Sequence, residues 1–157
     1  MIEITFRDFY EYKYRSRGLH ELYIMMNGLG EILYIGISSQ NIWNRWFGWN
    51  GHITVAPNFM VGESEIGQKI VDHLPESWNW KIQLWTLKDC IKLCASDLNK
   101  GGTYNIKWLE SIIIQKLRPS LNVIYNLHPG TDHEPKSERE IQRKKLLDKI
   151  YKDVVEK

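Results

Sequence analysis

Two short apolar segments, at residues 22–26 and 32–37, carry the clearest strand pattern in the chain. They are rich in Ile and Tyr and are separated by the turn-forming sequence NGLG at 27–30, which predicts a β-hairpin. A turn centred on Gly28 and Leu29 places Tyr23 opposite Tyr34, and a turn one residue earlier makes them diagonal neighbours. Because side chains alternate between the faces of a strand, both rings share one face in either register. They form either a functional pair or an aromatic pair that only stabilises the sheet.

A short amphipathic helix is predicted directly after the hairpin, in the sequence QNIWNRWFGWNGH. The serine pair at 38–39 offers an N-cap, and the glycine at 48 or at 51 ends the helix. Ile42 and Trp46 are one turn apart and form the packing stripe. Arg45 therefore lies beside this stripe and not within it.

The central part of the chain predicts further elements of both kinds. The sequence VAPNFM is interpreted as a loop, GESEIGQKIVDHL as a helix that ends before Pro75, NWKIQLWTL as a third strand, and residues 88–95 as one or two helical turns. The longest helix lies in TYNIKWLESIIIQKLRPSLN, begins near Gly102 or Thr103 and ends at Pro119. The predicted fold class is α+β, with a small three-stranded antiparallel sheet that starts with the hairpin and is flanked by helices.

Glu110 occupies an unexpected position in this longest helix. At about 100° per residue it falls in the middle of the apolar face formed by isoleucines and leucines. Burying an unpaired carboxylate is costly, so a compensating group is expected. An ion pair with Arg45 or Lys69, a helix rotated so that the carboxylate meets the edge of a cleft, and a divalent metal ion all remain open.

Length and pattern together predict one domain followed by a helical tail. Residues 1–130 form the predicted domain, and residues 131–157 form a charged amphipathic helix that opens with a capping box from Ser137 to Glu140. The apolar stripe of this helix would dock on the domain or on a partner. With 157 residues, the chain gives little reason to expect a second core.

Composition excludes several classes of protein. The chain is 43% apolar and 25% charged, which is typical of a globular protein, and it holds no apolar run of the roughly 20 residues that cross a bilayer. The amino terminus is charged and aromatic where a signal peptide would be apolar, so we expect an intracellular, cytoplasmic protein with no membrane partner. The net charge of +2 means that a nucleic-acid partner would be held by a local patch. Cys90 and Cys94 are interpreted as two packed thiols.

The order of these pieces resembles the GIY-YIG nuclease family. The sequence LYI at 22–24 is followed by LYIG at 33–36, then by a helix with NRW at 44–46, and later by WLESIIIQKLRPSLN at 108–122. The resemblance covers roughly residues 20–125. It implies a domain of the GIY-YIG fold, in which the two signature tripeptides lie on a hairpin.

The resemblance also implies an active site that hydrolyses phosphodiester bonds with one Mg²⁺ or Mn²⁺ ion. The residues it assigns are Tyr23 and Tyr34, of which one takes a proton from the attacking water or orients it, Arg45 on the scissile phosphate, Glu110 as the one protein ligand of the metal ion, and Asn122 as a supporting residue. His52 stands in for a residue that relatives often carry one turn after the arginine, or it is a plain surface histidine.

DNA is the expected partner, and the protein is expected to be a monomer or a homodimer. Candidates for DNA contact are Lys13, Arg15 and Arg17, in an aromatic and basic stretch that could equally be an edge strand, and Trp49. The predicted function is that of a metal-dependent DNA endonuclease, restriction-like or from a mobile element or phage. The alternative is a catalytically silent nucleic-acid-binding module on the same fold.

Overall fold

The computed structural model describes residues 1–11, 20–98 and 104–122. The strands in this part of the chain are β1 (Ile2–Thr5), β2 (His20–Met26), β3 (Ile32–Ile37), β4 (Ile53–Val55), β5 (Met60–Gly62) and β6 (Lys81–Thr86). The α-helices are α1 (Phe6–Glu11), α2 (Ile42–Phe47), α3 (Glu65–Asp72), α4 (Leu87–Leu93) and α5 (Ile106–Leu117), and short 3₁₀ helices lie at Glu76–Asn79 and Ala95–Asp97. The α+β class with a small antiparallel sheet is confirmed.

The main sheet has four antiparallel strands in the order β1-β6-β2-β3, so the prediction of three strands was wrong. The missed strand is β1, which pairs along β6 with Ile2 opposite Leu84. Its four residues are too few for a clear alternation of apolar and polar positions. The predicted loop VAPNFM was also wrong in part, because β4 and β5 pair across it in a separate two-stranded sheet.

The hairpin of β2 and β3 forms as predicted, but its register differs from both predicted registers. Tyr23 lies opposite Gly36, and Tyr34 lies opposite Met25. The turn is longer than two residues because the side chain of Asn27 accepts hydrogen bonds from the backbone N–H groups of Leu29 and Glu31. The two tyrosines are nevertheless on one face, as strand alternation requires.

Each face of the main sheet packs against its own hydrophobic cluster. One cluster contains Tyr23, Met25 and Trp46 together with residues of α1, α2 and α3. The other contains Leu22, Ile24 and Ile35 with residues of α4 and α5. The predicted packed thiols are confirmed, since Cys90 and Cys94 are free and fully buried in the second cluster.

Two predicted helix starts were wrong by a few residues. Asn41, and not the serine pair at 38–39, caps α2 by accepting a hydrogen bond from Asn44 N, and Asn105 caps α5 by accepting one from Trp108 N. Asparagine is as good an N-cap as serine, so side-chain type alone does not select between nearby candidates. The predicted packing of α2 is confirmed, because Ile42 and Trp46 are buried and Arg45 is half-buried.

Several predictions lie outside the described residues. These are the DNA-contact candidates Lys13, Arg15 and Arg17, and the tail helix at 131–157. Tyr10, from the same aromatic stretch, is in α1 and not in an edge strand. Among the helices of the described ranges, none has the length and apolar character needed to cross a bilayer.

Candidate active site

The position of the Tyr23 side chain depends on Gly36, which has no side chain. Tyr23 is 1% exposed, and its phenol ring lies over Gly36 on the facing strand. A Cβ atom at Gly36 would overlap with the hydroxyl oxygen of Tyr23. The glycine of the YIG sequence therefore makes the space in which the first tyrosine sits.

The hydroxyl of Tyr23 is hydrogen-bonded to His52, which lies at the start of the small sheet. The distance from Tyr23 Oη to His52 Nε2 is 2.6 Å, and the distance from His52 Nδ1 to Ser64 Oγ is also 2.6 Å. Ser64 Oγ also accepts a hydrogen bond from Gly67 N. A serine hydroxyl has one O–H donor and two lone pairs, so Ser64 can serve either tautomer of the imidazole.

Helix α3 brings Ser64 to this position. Ser64 is the N-cap of the helix, and Gly67 lets the first turn approach the backbone of His52 so closely that a Cβ at Gly67 would overlap with the carbonyl oxygen of His52. His52 is itself 1% exposed, so the interpretation of a plain surface histidine is wrong. The segment that precedes His52, residues 48–51, is held in place because His52 N donates a hydrogen bond to Arg45 O at 3.1 Å.

Aromatic rings surround this hydrogen-bonded pair. The ring of Tyr34 stacks on that of Tyr23 with centroids 6.1 Å apart, and it lies 5.7 Å from the ring of His52. Trp46 of α2 contacts both Tyr23 and His52, at 5.5 Å and 4.6 Å between centroids. Tyr34 is half-buried, so of the two tyrosines it is the more accessible.

Arg45 lies next to the same group of side chains. Burial lowers the pKa of His52 and the charge of Arg45 adds to that effect, whereas burial and Tyr34 raise the pKa of Tyr23 and Arg45 opposes them. Within the described part of the chain, its guanidinium makes a single long hydrogen bond, from Nη1 to Asn50 O at 3.5 Å. The guanidinium is thus close to the phenol and the imidazole and has donors to spare for an anion.

Glu110 acts on this group through its charge. It lies on α5, whose buried residues belong to the second hydrophobic cluster, yet its charge contributes to the raised pKa of Tyr23. The predicted ion pairs with Arg45 or Lys69 do not form, because Glu110 has no hydrogen bond or ion pair with any described residue. Burial raises the pKa of Glu110 to about 6, and Lys107 opposes this shift.

Asn122 braces the edge of the sheet. Its side chain accepts from Ile35 N and donates to Ile35 O, both at 2.8 Å, and it is largely buried. The preceding residues continue this contact, since Leu121 N donates to Leu33 O at 2.8 Å. Asn122 therefore holds β3, the strand that carries Tyr34 and Gly36.

The protonation states of the central pair follow from their burial. Burial raises the pKa of Tyr23 well above its ordinary value, with smaller contributions from Tyr34 and Glu110 that act against Arg45. Burial, aided by Arg45, lowers the pKa of His52 to about 3. Both groups are therefore neutral at pH 7 and joined by a short hydrogen bond.

A cleft of about 740 Å³ opens beside the site. It is lined by Arg45, Phe47, Gly48, Trp49, Asn50, Gly51, His52, Thr54, Val55, Glu63 and Ser64. The predicted DNA-contact residue Trp49 is 90% exposed at this cleft. The cleft therefore opens to the solvent beside His52 and Ser64, which both line it.

The residues present fit one hard divalent cation at Glu110. This carboxylate is half-buried, has a raised pKa and has no partner among the described residues. A cation bound to it would neutralise its charge, as expected for an acidic metal ligand. In the described ranges no three His, Cys, Asp or Glu residues come together as a metal-binding group. Among the described residues, Glu110 would be the ligand of such an ion, with water and substrate oxygens in its coordination as well.

Comparison with protein-family models, with curated proteins and with solved structures finds no match to the chain. The site includes residues that the sequence interpretation missed, namely Gly36, Trp46, Ser64 and Gly67. The sequence carried one signal for Ser64, since ESEI places a capping serine before an apolar helical stripe.

Proposed function

We propose that this protein is a metal-dependent DNA endonuclease of the GIY-YIG type. The observation that carries the proposal is the short hydrogen bond between Tyr23 and His52 in a pocket where Arg45 and Glu110 both act on the phenol. A packed aromatic core does not need a guanidinium, an imidazole and a carboxylate without a described partner that all act on one buried hydroxyl. Perturbed titratable groups gathered beside a cleft are typical of catalytic sites.

Phosphodiester hydrolysis requires a nucleophilic water, a neutralised phosphate and a stabilised leaving oxygen. Arg45 binds the scissile phosphate through its planar guanidinium, which suits two phosphate oxygens at once. Tyr23 receives a proton from the attacking water at Oη while its own hydroxyl proton passes to His52 Nε2. His52 Nδ1–H donates to Ser64 Oγ in this tautomer, so the imidazole is held in the orientation that the transfer requires.

Because Tyr23 and His52 are both neutral before the reaction, the proton transfer to His52 requires a group that stabilises the imidazolium. Proton transfer creates an imidazolium in a site where burial lowers the pKa of His52 to about 3. The negative charge of the bound phosphate, which lies next to Arg45, favours that imidazolium. Tyr34, stacked on Tyr23 and more accessible, orients the water from the open side.

Glu110 is the residue that would hold the divalent ion. A Mg²⁺ or Mn²⁺ ion supplies positive charge to the phosphate and to the departing oxygen when it is bound. Glu110 itself is deprotonated at pH values above about 6, so its affinity for the ion falls in more acidic solution.

Purified protein incubated with supercoiled plasmid DNA tests this function. We expect nicking with Mg²⁺ or Mn²⁺, none with a chelator, and a loss of at least about 100-fold in rate for Glu110→Ala and for Tyr23→Phe. Glu76→Ala, at an exposed acid on a 3₁₀ helix, is the matched control and keeps the wild-type rate. Cutting that persists in Glu110→Ala, or in the presence of the chelator, would contradict the proposed chemistry.

A nucleic-acid-binding module without turnover is the second candidate. The observation that favours it is the near-complete burial of both Tyr23 and His52, each 1% exposed, together with their neutral states. In that case the wild-type protein binds DNA in a gel-shift assay and leaves plasmid intact with every metal ion. Nicking that the Glu110→Ala variant loses would exclude this candidate.

A further inference from the structure

The segment that follows Arg45 in the cleft has an unusual composition. Residues 48–62 hold no Lys, Arg, Asp or Glu, and their titratable side chain is His52, whose pKa is about 3. Contacts to phosphate are made mainly by Lys and Arg, so this segment is poorly suited to the backbone of a nucleic acid. Its exposed side chains include Trp49, Val55 and Phe59, which suit the flat, uncharged part of a nucleotide.

Trp49 stands on an ordered turn and not on a loose loop. Gly51 N donates to Gly48 O at 3.0 Å, and Asn50 between them has φ 55°. A Cβ at Gly51 would lie 2.6 Å from Trp46 O, so a side chain there would push the turn off α2. A large aromatic ring that is 90% exposed on fixed backbone can bind a flat ligand with little loss of conformational entropy.

The lining of the cleft combines groups that match one nucleotide. Arg45 offers a guanidinium for a phosphate, Trp49 offers an aromatic face, and Asn50 offers a polar side chain. Thr54 Oγ1 donates to Glu63 Oε1 at 2.9 Å, so this hydroxyl and this carboxylate partner each other at the edge of the cleft. Its volume of about 740 Å³ lies within the usual range for sites that hold small molecules. The same cleft contains His52 and Ser64, so its occupant is adjacent to the proposed reaction centre.

We infer that the cleft binds one unpaired nucleotide of the substrate strand, with its base stacked on Trp49 and its phosphate near Arg45. This inference rests on the proposed function and adds the class of substrate to it. In a duplex, both faces of a base are covered by its neighbours, so a side chain stacks on a paired base at the cost of unstacking the duplex, whereas an extrahelical or single-stranded base has a free face. The preferred substrate is therefore DNA that carries an unpaired nucleotide next to the cut phosphate.

Fluorescence anisotropy in the presence of a chelator tests the inference without turnover. The probes are labelled duplexes with one central unpaired A, C, G or T, and the same duplexes fully paired. We expect the wild-type protein to bind at least one bulged duplex about tenfold more tightly than the paired one, since one stacked base contributes an effect of this order. Trp49→Ala removes this preference, whereas Trp49→Phe keeps most of it.

Trp108→Ala is the matched control, because Trp108 is 44% exposed on α5 and does not line the cleft. It keeps the wild-type preference. Equal binding of bulged and paired duplexes by the wild-type protein, or an equal loss on both in Trp49→Ala, overturns the inference. Thermal unfolding of Trp49→Ala with an unchanged midpoint shows that the fold is intact.

The plasmid assay keeps this inference separate from the proposed function. If binding prefers the bulge through Trp49 and no DNA is cut, the inference holds and the nuclease proposal fails. If the protein cuts DNA, loses this activity in Glu110→Ala and binds bulged and paired duplexes equally, the nuclease proposal holds and the inference fails.

Discussion

Gly36 is the residue on which the position of Tyr23 depends most directly. In Gly36→Ala, the new methyl group would occupy the space of the Tyr23 hydroxyl, so the ring must move and its hydrogen bond to His52 must break. We expect a loss of about 1–3 kcal/mol in the free energy of unfolding from overpacking. We also expect a fall of about 100-fold in nicking rate, because a displacement of ~1 Å at a reacting group has this effect.

Gly28→Ala is the control for this substitution. A Cβ at Gly28 would meet nothing closer than Trp80 at 3.8 Å, which is an ordinary contact. Urea unfolding and the plasmid assay should both give wild-type values for it. An active and fully stable Gly36→Ala variant would show that the Tyr23 ring is not held as described.

Ser64 has two functions that a pair of variants can separate. Ser64→Ala removes the N-cap of α3, which lowers the free energy of unfolding by about 1 kcal/mol, and it also removes the partner of His52 Nδ1. Thr86→Ala removes the N-cap of α4 in the same way but does not touch the site. We expect both variants to lose similar stability in urea.

The nicking rates of the two variants should differ. We expect Ser64→Ala to be about tenfold slower in kcat with little change in KM, because a badly oriented base transfers protons less well. Ser64→Thr, which keeps the hydroxyl, should recover most of that rate, and Thr86→Ala should be unaffected. Equal rates in Ser64→Ala and Thr86→Ala would mean that Ser64 acts on folding alone.

The residues of the site differ in how far the sequence could predict them. Strand alternation is sufficient to put Tyr23 and Tyr34 on one face, and helical spacing is sufficient to find Glu110 among apolar neighbours. The burial of His52 could not be predicted, because it depends on α3 and on the space left by Gly67, which follows fifteen positions later. A short segment such as GWNGH has no periodicity that distinguishes an inward histidine from an outward one.

Among the secondary-structure elements, β3 depends on its contact with the residues after α5. Asn122→Ala would break both hydrogen bonds to Ile35 and leave the backbone N–H and C=O of a buried residue without that partner. We expect the free energy of unfolding to fall by about 2–3 kcal/mol, and the amide of Ile35 to exchange faster with solvent. Hydrogen exchange measured by NMR checks this result.

Ser120→Ala is a suitable comparison for Asn122→Ala. The backbone N–H of residue 120 keeps its bond to Ile32 O, and its hydroxyl has no partner within the described chain. This variant should therefore keep the protection of Ile35. Unchanged exchange in Asn122→Ala would contradict the bracing function.

The elements also show where sequence reasoning stops. The hairpin was predicted because turn residues and apolar strands are local signals, but its register was wrong because the Asn27 side chain encloses a longer turn. Strand β1 was missed because its pairing with β6 joins segments nearly eighty positions apart. Pairing over such distances is decided by the packed sheet and not by the four residues themselves.

For the chain as a whole, the buried His52 and the half-buried Glu110 give opposite dependences of stability on pH. The pKa of His52 is lowered to about 3, so below about pH 6.5 the unfolded chain binds a proton that the folded chain does not, and stability falls as pH falls. The pKa of Glu110 is raised to about 6 from 4.5, so the folded chain binds its proton more tightly. The contribution of protonated Glu110 to the free energy of unfolding is therefore lost, and stability falls, as the pH rises through about 6.

Glu110→Gln should separate these two effects. At pH 8 we expect this variant to be about 1 kcal/mol more stable than the wild type, after a discount for the solvent that reaches the carboxylate. At pH 4 the difference should vanish, because Glu110 is then protonated in both states. Urea titrations at both pH values measure this, with Glu76→Gln, at an exposed acid, as the variant that should not respond.

A residue that lowers stability and raises activity is a sign of selection for function. If Glu110→Gln is more stable at pH 8 and also inactive, the carboxylate is present for its chemistry. A loss of stability at pH 8 in this variant would instead indicate a structural role for Glu110 and would weaken the proposed function.

The contact between residues 120–122 and β3 has a consequence for behaviour in concentrated solution. An outermost strand with free N–H and C=O groups is a template on which strands of other molecules can add. Leu121 and Asn122 occupy those groups at Leu33 and Ile35. Weakening this contact would expose unpaired backbone N–H and C=O groups on β3. We therefore expect fibrous aggregates to form on storage much earlier in Asn122→Ala than in the wild-type protein.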